Sequence, residues 1–265
     1  MNTRILVAVV GIPALLAIVL RAPIGVICAA LCILSALAGM ELQQCVSGQR
    51  RSVMVVVSAV LPVLTVLWQF RMDESPAPLF ALQLMALCAY AVSQGGKVKF
   101  EQLAASLTAC VAIAYSFSAF LRLDRAGASR AVLLLPFVLS FCCDSFAYLA
   151  GRAFGRHKLA PIVSPHKTVE GAIGGLLGNV AGGLIFAFLL RHFTGDAPAY
   201  LPMVALSLLC GVVSQLGDLT FSLIKRQYGI KDYGRAFLAH GGALDRFDSV
   251  LFVTPVIEFA LLWLP

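Results

Sequence analysis

The chain has 265 residues, 60% of them hydrophobic and only 12% charged, with 20 Lys+Arg against 13 Asp+Glu for a net charge of +7. Soluble globular chains are nearer half apolar and a quarter charged, so this composition excludes a soluble enzyme, a disordered chain and a surface-bound amphipathic segment. The apolar runs are continuous and not alternating, which points to membrane-spanning helices and away from a β-barrel. A spanning helix needs roughly 20 apolar residues. In chain order the predicted spans are Ile5–Leu20, Ile24–Met40, Val53–Phe70, Leu79–Val92, Leu103–Leu121, Ala131–Ala150, Ala172–Leu190, Leu201–Ile224 and Val250–Leu264. The expected fold is therefore all-α, a polytopic helical bundle of about nine transmembrane helices. Residues 1–130 form its N-terminal helices, and residues 131–265 its C-terminal helices with the long polar loops, in one integral membrane unit. Met1–Arg4 is a short basic start before an apolar run, but no polar mature domain follows, so the run reads as a retained first helix. Seven of the eight Cys lie in apolar runs and no CxxC pair occurs, so they read as small buried apolar residues.

The positive charges orient the bundle. With nine spans, one side collects Arg4, Arg50, Arg51, Lys97, Lys99, Arg152, Arg156, Lys158, Lys167, Lys225, Arg226, Lys231, Arg235 and Arg246. The other side holds Arg21, Arg71, Arg122, Arg125, Arg130 and Arg191. Cytoplasmic loops collect Lys and Arg, so the N-terminus and both long polar loops are expected in the cytoplasm, in a multi-pass protein of the inner (cytoplasmic) membrane. Topology thus accounts for the excess of positive charge, and no nucleic-acid partner is expected.

Chemistry concentrates in two segments. Asp144–Glu170 and Asp218–Asp248 together hold 15 of the 33 charged residues. Asp144 and Asp218 fall inside apolar runs and Asp248 at the entry to one. An unpaired carboxylate near the bilayer centre costs at least ~2.5–3.5 kcal/mol, so each calls for a partner, a cavity or a metal. Ser214, Asp218, Ser222 and Lys225 are spaced four, four and three apart, on one face of a helix. Asp144, Tyr148 and Arg152 form a second stripe, and Asp245 and Asp248 are i, i+3. Carboxylates converging in a basic pocket suit a divalent cation with a phosphorylated ligand, since Mg²⁺ takes one or two carboxylates and substrate phosphates; an internal salt-bridge network is the alternative. His240-Gly241-Gly242 precedes Asp245, and glycines let a backbone approach a ligand and present amides to an anion. Ser164-Pro165-His166-Lys167-Thr168 offers hydroxyls and a lysine just before a helix, where phosphate is attracted. Gly171, Gly174, Gly175, Gly178, Gly182 and Gly183 read as close helix packing. Glu258, in the last apolar run, stands outside these patterns.

These residues carry a family resemblance. The run Ser222-Leu-Ile-Lys225-Arg226, then Lys231-Asp232-Tyr-Gly234, then His240-Gly241-Gly242-Ala-Leu-Asp245-Arg246-Phe-Asp248 resembles the signature of phosphatidate cytidylyltransferases, also called CDP-diacylglycerol synthases. Ser214-Gln-Leu-Gly217-Asp218-Leu219, Asp144…Tyr148…Gly151-Arg152 and Ser164–Gly171 are similar to that family too. The resemblance is specific over roughly residues 140–250; before that it is hydropathy alone. Leu238-Ala239 stands where the family usually has Pro-Gly, and His166 where it often has Lys.

The resemblance implies transfer of CMP from CTP to phosphatidic acid, giving CDP-diacylglycerol and pyrophosphate in phospholipid biosynthesis. It implies Asp218, Asp245, Lys225, Arg246 and His240 as catalytic residues. Asp218 and Asp245 would be the first metal ligands, with Asp144, Asp248 and Ser214 as further ones. Ser164, His166, Lys167, Thr168, Ser222, Arg226, Lys231, Gly241, Gly242 and Arg152 would bind substrate. The implied cofactor is Mg²⁺, with Mn²⁺ as the alternative ion and K⁺ as a candidate second cation. CTP, phosphatidic acid and the bilayer are the implied partners, along with a homodimer. Rival readings are a CTP-dependent enzyme acting on another lipid phosphate or a polyprenol, and, outside enzymes, a transporter.

Overall fold

The computed structural model describes residues 3–194, 199–234, 236 and 241–263. Nine helices run through the described residues: α1 Thr3–Arg21, α2 Ile24–Ser47, α3 Val53–Arg71, α4 Ala77–Ser93, α5 Phe100–Arg125, α6 Val132–Phe154, α7 Val169–Thr194, α8 Tyr200–Gln227 and α9 Leu244–Trp263. Each predicted span falls on one of them. Six (α2, α3, α5, α6, α7 and α8) are long and apolar enough to cross a membrane, and α4 is shorter, at 17 residues. The chain is an all-α, multi-pass membrane protein. A two-stranded antiparallel hairpin was not foreseen: β1 Lys158–Ala160 pairs with β2 Ser164–Thr168, Lys158 opposite Thr168 and Ala160 opposite Ser164.

The helices sort into two compact units, Met1–Arg125 with Tyr228–Phe247, and Ala126–Gln227 with Asp248–Pro265. In the first, Pro62 lies inside α3 and has no N–H to donate to the Ser58 carbonyl four residues back. Gly39 of α2 lies directly against that oxygen, where a methyl group would collide with it. The Ser58 hydroxyl bonds the Ser106 hydroxyl of α5 at 2.7 Å. Thr108–Ile113 of α5 winds as a π-helical turn. Arg125, at the end of that helix, donates to the Gln69 carbonyl and to Asp73, at 2.5 and 3.3 Å.

The second unit is built on glycine contacts. On α7, Gly171, Gly174, Gly175, Gly178 and Gly182 face Ala147, Ala150, Cys143, Phe146 and Cys142 of α6. Side chains at these positions would hold the backbones apart, so the glycine pattern encodes close α6–α7 packing. Gly183 lies against Ser207 of α8, and Asn179 donates to the Ser207 carbonyl at 2.8 Å. Leu135, Leu139, Ala187, Met203, Cys210, Val253 and Ile257 close the core. Glu258 is buried on α9.

Gly178→Leu is expected to destabilise by about 1–3 kcal/mol, the range for overpacking a tight contact, because Phe146 must move. Gly25→Ala, where nothing lies within 4 Å, is the control. Unfolding in detergent should show a lower midpoint for the first variant only.

Candidate active site

Five motif side chains, Asp144, Lys167, Asp218, Lys225 and Asp248, belong to the second unit, and they are placed by different pieces of local structure. Asp218 sits on α8, one turn before Ser222, whose hydroxyl donates to Asp218 Oδ1 at 3.1 Å. The other carboxylate oxygen, Oδ2, pairs with Lys167 Nζ at 2.5 Å. Both side chains of this pair are about a quarter exposed, at 27% and 28%. Lys167 belongs to β2, so the hairpin is what brings a residue from the Ser164–Gly171 box to the α8 stripe.

The second half of the cluster is buried. Asp248 is 8% exposed, and its Oδ1 accepts the N–H of Ser249 at 2.7 Å. Asp218, Asp144 and Lys225 are the charged groups within its electrostatic reach. Lys225 is itself 9% exposed, so it is drawn inward and is not extended toward solvent as a membrane-edge anchor would be. Close packing sets these positions. Gly217 leaves no room for a side chain against the Asp248 carbonyl and Phe252, and the Ser249 hydroxyl donates to the Ser214 carbonyl at 3.3 Å. Ser214 is fully buried, and its hydroxyl lies beside the Cys143 thiol. Asp144 is exposed on α6, and Tyr148 and Arg152 of the same stripe are exposed too.

The hairpin and the start of α7 hold Lys167 in place. Thr168 caps α7 by accepting the N–H of Gly171 at 3.1 Å, with Gly151, Gly155 and Gly171 packed around its side chain. The α7 N-terminus is therefore capped by its own chain. Glu170 accepts the N–H groups of Arg156 and His157 and pairs with His157 Nδ1 at 2.6 Å, which pins the turn entering the hairpin. Lys158 Nζ donates to the Pro165 carbonyl at 2.7 Å, and Arg226 Nε to the Val163 carbonyl at 3.3 Å. Ser164 is half-buried and His166 exposed. The second unit thus holds three motif carboxylates and two motif ammonium groups, with Lys167, Asp218 and Ser222 in direct contact.

Other candidates lie in the first unit. Lys231 and Arg246 are exposed. Asp245 Oδ2 accepts the N–H groups of Tyr233 and Gly242 at 2.8 and 3.0 Å. Gly241 adopts a φ of +87°, the left-handed region that favours glycine. The sequence suggested that this loop offers its amides to an anion. The protein's own acids already fill that role: Asp245 takes Gly242, while Glu41 Oε1 and Oε2 take the N–H groups of Ala243 and Leu244, at 3.0 and 2.9 Å. Glu41 escaped the sequence reading because the second predicted span stops at Met40, whereas α2 continues to Ser47. A charged residue entering an apolar helix was the available signal. His240 lies outside the described residues, as do Leu238 and Ala239.

Whether these residues fit a metal rests on their donor chemistry. The candidate ligands are hard oxygens, the set that Mg²⁺ prefers. Among the described residues, no three of His, Cys, Asp and Glu gather as a ready-made cage. Mg²⁺ is commonly held by one or two carboxylates plus substrate phosphates, so the acids of the second unit fit that mode of binding.

The model of a family described as the cytidylyltransferase family matches residues 2–264. A phosphatidate cytidylyltransferase of Thermotoga maritima is 35% identical over 232 residues, covering 83% of this chain and 82% of that protein. Phosphatidate cytidylyltransferases of Staphylococcus saprophyticus and Staphylococcus aureus are each 40% identical over 130 residues, or 49% of this chain. The chain thus spans about half (48%) of the length of those staphylococcal relatives.

Lys167 and Asp218 are expected to couple. Lys167→Met and Asp218→Asn should each destabilise the site, and the double variant should be less affected than the sum, by about 0.5–3 kcal/mol. A double-mutant cycle on unfolding midpoints in detergent measures this.

Proposed function

Given that the chain belongs to the cytidylyltransferase family, we propose that it transfers CMP from CTP to phosphatidic acid, forming CDP-diacylglycerol and releasing pyrophosphate. The observation that carries this reading is the pairing of Lys167 with Asp218 across two motif segments, in the compact unit that also holds Asp144, Lys225 and Asp248. The high identity to proteins named for this activity supports it.

In this reading a phosphate oxygen of the lipid attacks the α-phosphorus of CTP. A P–O bond forms there as the bond to the β-phosphate breaks, and pyrophosphate departs with the electron pair. The nucleophile is already ionised at neutral pH, so no strong general base is required. Both reactants are anions, and the barrier is set by repulsion between them and by charge growing on the leaving group. Lys167 and Lys225 supply positive charge to the reacting phosphates. Ser222 holds the Asp218 carboxylate in one orientation, and the buried Ser214 hydroxyl is a further oxygen donor. Arg226 and Arg152 attract the triphosphate and the lipid headgroup, and Ser164 and His166 line the approach along the hairpin; Thr168 is buried and spent on capping α7, and the roles of Lys231 and Arg246 are those the sequence motif implies. Asp218, with Asp248 or Asp144, would hold Mg²⁺ together with substrate phosphates, and the ion would neutralise phosphate charge and act as a Lewis acid on the α-phosphoryl group. The assignment of Asp245 as a ligand, like that of His240 as a catalytic residue, rests on the sequence motif alone. The uneven distribution of Lys and Arg supports an inner-membrane protein with the polar loops in the cytoplasm, where CTP is present.

Purified protein in detergent with Mg²⁺ is expected to convert labelled CTP and phosphatidic acid to CDP-diacylglycerol. Chelation by EDTA should abolish turnover, and Mg²⁺ or Mn²⁺ should restore it. Absence of product with either ion sinks the reading; preference for another lipid phosphate in a substrate panel replaces phosphatidic acid. Asp218→Asn should lower kcat at least ~10²-fold, the scale for losing an electrostatic contributor. Near-normal turnover would remove Asp218 from the reacting centre.

A further inference from the structure

Glu41 is a buried acid outside every motif segment, at 5% exposure on α2. Its two carboxylate oxygens are divided between consecutive amides, Oε1 with Ala243 N–H and Oε2 with Leu244 N–H. Leu244 is the first residue of α9, so these are donors that a helix start leaves without intrahelical partners. A carboxylate at that position also meets the positive end of the helix dipole. The fit is tight on two sides: a methyl group at Gly234 or at Gly242 would collide with the Glu41 carboxylate. Next to it, Asp245 Oδ2 gathers the N–H groups of Tyr233 and Gly242. Two acids therefore bind four backbone amides from two stretches of chain, on either side of residues 235–240. Glu41 stands more than 190 positions away in sequence, at separations of 202 and 203 from its two partners.

We propose that Glu41 is a positioning residue for cytidylyl transfer. It acts as an internal anion at the start of α9, and with Asp245 it fixes the Gly241–Arg246 turn that carries the family's motif. This rests on the function proposed above. The site does not take a substrate phosphate, because the amides that would bind one are already engaged. Glu41 touches no reacting atom in this role; it works by holding the backbone from which Asp245 and Arg246 project.

Glu41→Gln tests this. The variant keeps the length and volume of the side chain but sets an NH₂ group against one of the two amides. Hydrogen exchange at Ala243 and Leu244, followed by mass spectrometry on full-length protein in detergent, should accelerate at least ~10-fold, while peptides from α7 are unchanged. Turnover should fall about 10- to 100-fold in kcat, the scale on which misplaced groups cost rate, with KM for CTP within about threefold. The unfolding midpoint should stay close to that of the parent, separating lost positioning from lost folding. Unchanged exchange overturns the clamp; faster exchange with unchanged kcat overturns the positioning role. Should Glu41→Gln fail to give monodisperse protein, Glu41→Asp, which keeps the charge but shortens the reach, is read by the same criteria. If the parent protein itself transfers no CMP, the proposed function fails while the exchange measurement still reads the clamp.

Discussion

A carboxylate in a membrane bundle has no water to solvate it, so the chain must supply its counterpart. That constraint organises both units. In the second unit the answer is cationic: Asp218 takes the ammonium of Lys167 and the hydroxyl of Ser222, and Asp248 lies within reach of the buried Lys225. In the first the answer is the backbone itself, with Glu41 and Asp245 collecting N–H groups at the start of α9 and in the loop before it. The backbone solution confers rigidity, since the two carboxylates join α2, the Tyr233 segment and the start of α9. The cationic solution places a partly exposed Lys167–Asp218 pair in the unit that holds the other motif acids, a composition suited to anionic ligands carried with a cation.

Glycine is the enabling residue in each case. Along α7 it brings two helix backbones together, which positions Asp144 on α6 and the hairpin that bears Lys167. At Gly217 it lets α8 meet the Asp248 carbonyl, and at Gly234 and Gly242 it makes room for the Glu41 carboxylate. None of these sites needs glycine for a turn. They need it because a Cβ would occupy the space where a backbone or an acid has to be. Gly241 is the contrasting case, required for its positive φ.

Most of the architecture was legible from hydropathy because spanning a membrane imposes length and apolarity on every helix. The stripe of Ser214, Asp218, Ser222 and Lys225 was legible for a similar reason: within a helix, spacing fixes the face, and the Ser222–Asp218 bond follows from it. The hairpin was not, because its strands are only three and five residues long and Lys158–Thr168 contains two prolines, so its strand pairing leaves no alternation to read. The anion-binding reading of the His-Gly-Gly loop met a different obstacle. Local sequence shows that amides are available at such a loop, but not that a glutamate some 200 residues earlier already occupies them.

The sequence by itself determined that this is a helical, multi-pass membrane protein of the cytidylyltransferase family. Composition, span length and motif spacing are local properties, and each survives without knowledge of the fold. Tertiary structure alone decided the partners: Lys167 for Asp218, and the α9 amides for Glu41. Pairing of charges depends on which helices pack together and on which faces meet. Those choices are made by close glycine contacts and by the cost of leaving a buried carboxylate without a counterpart, and they become definite only when the chain is folded.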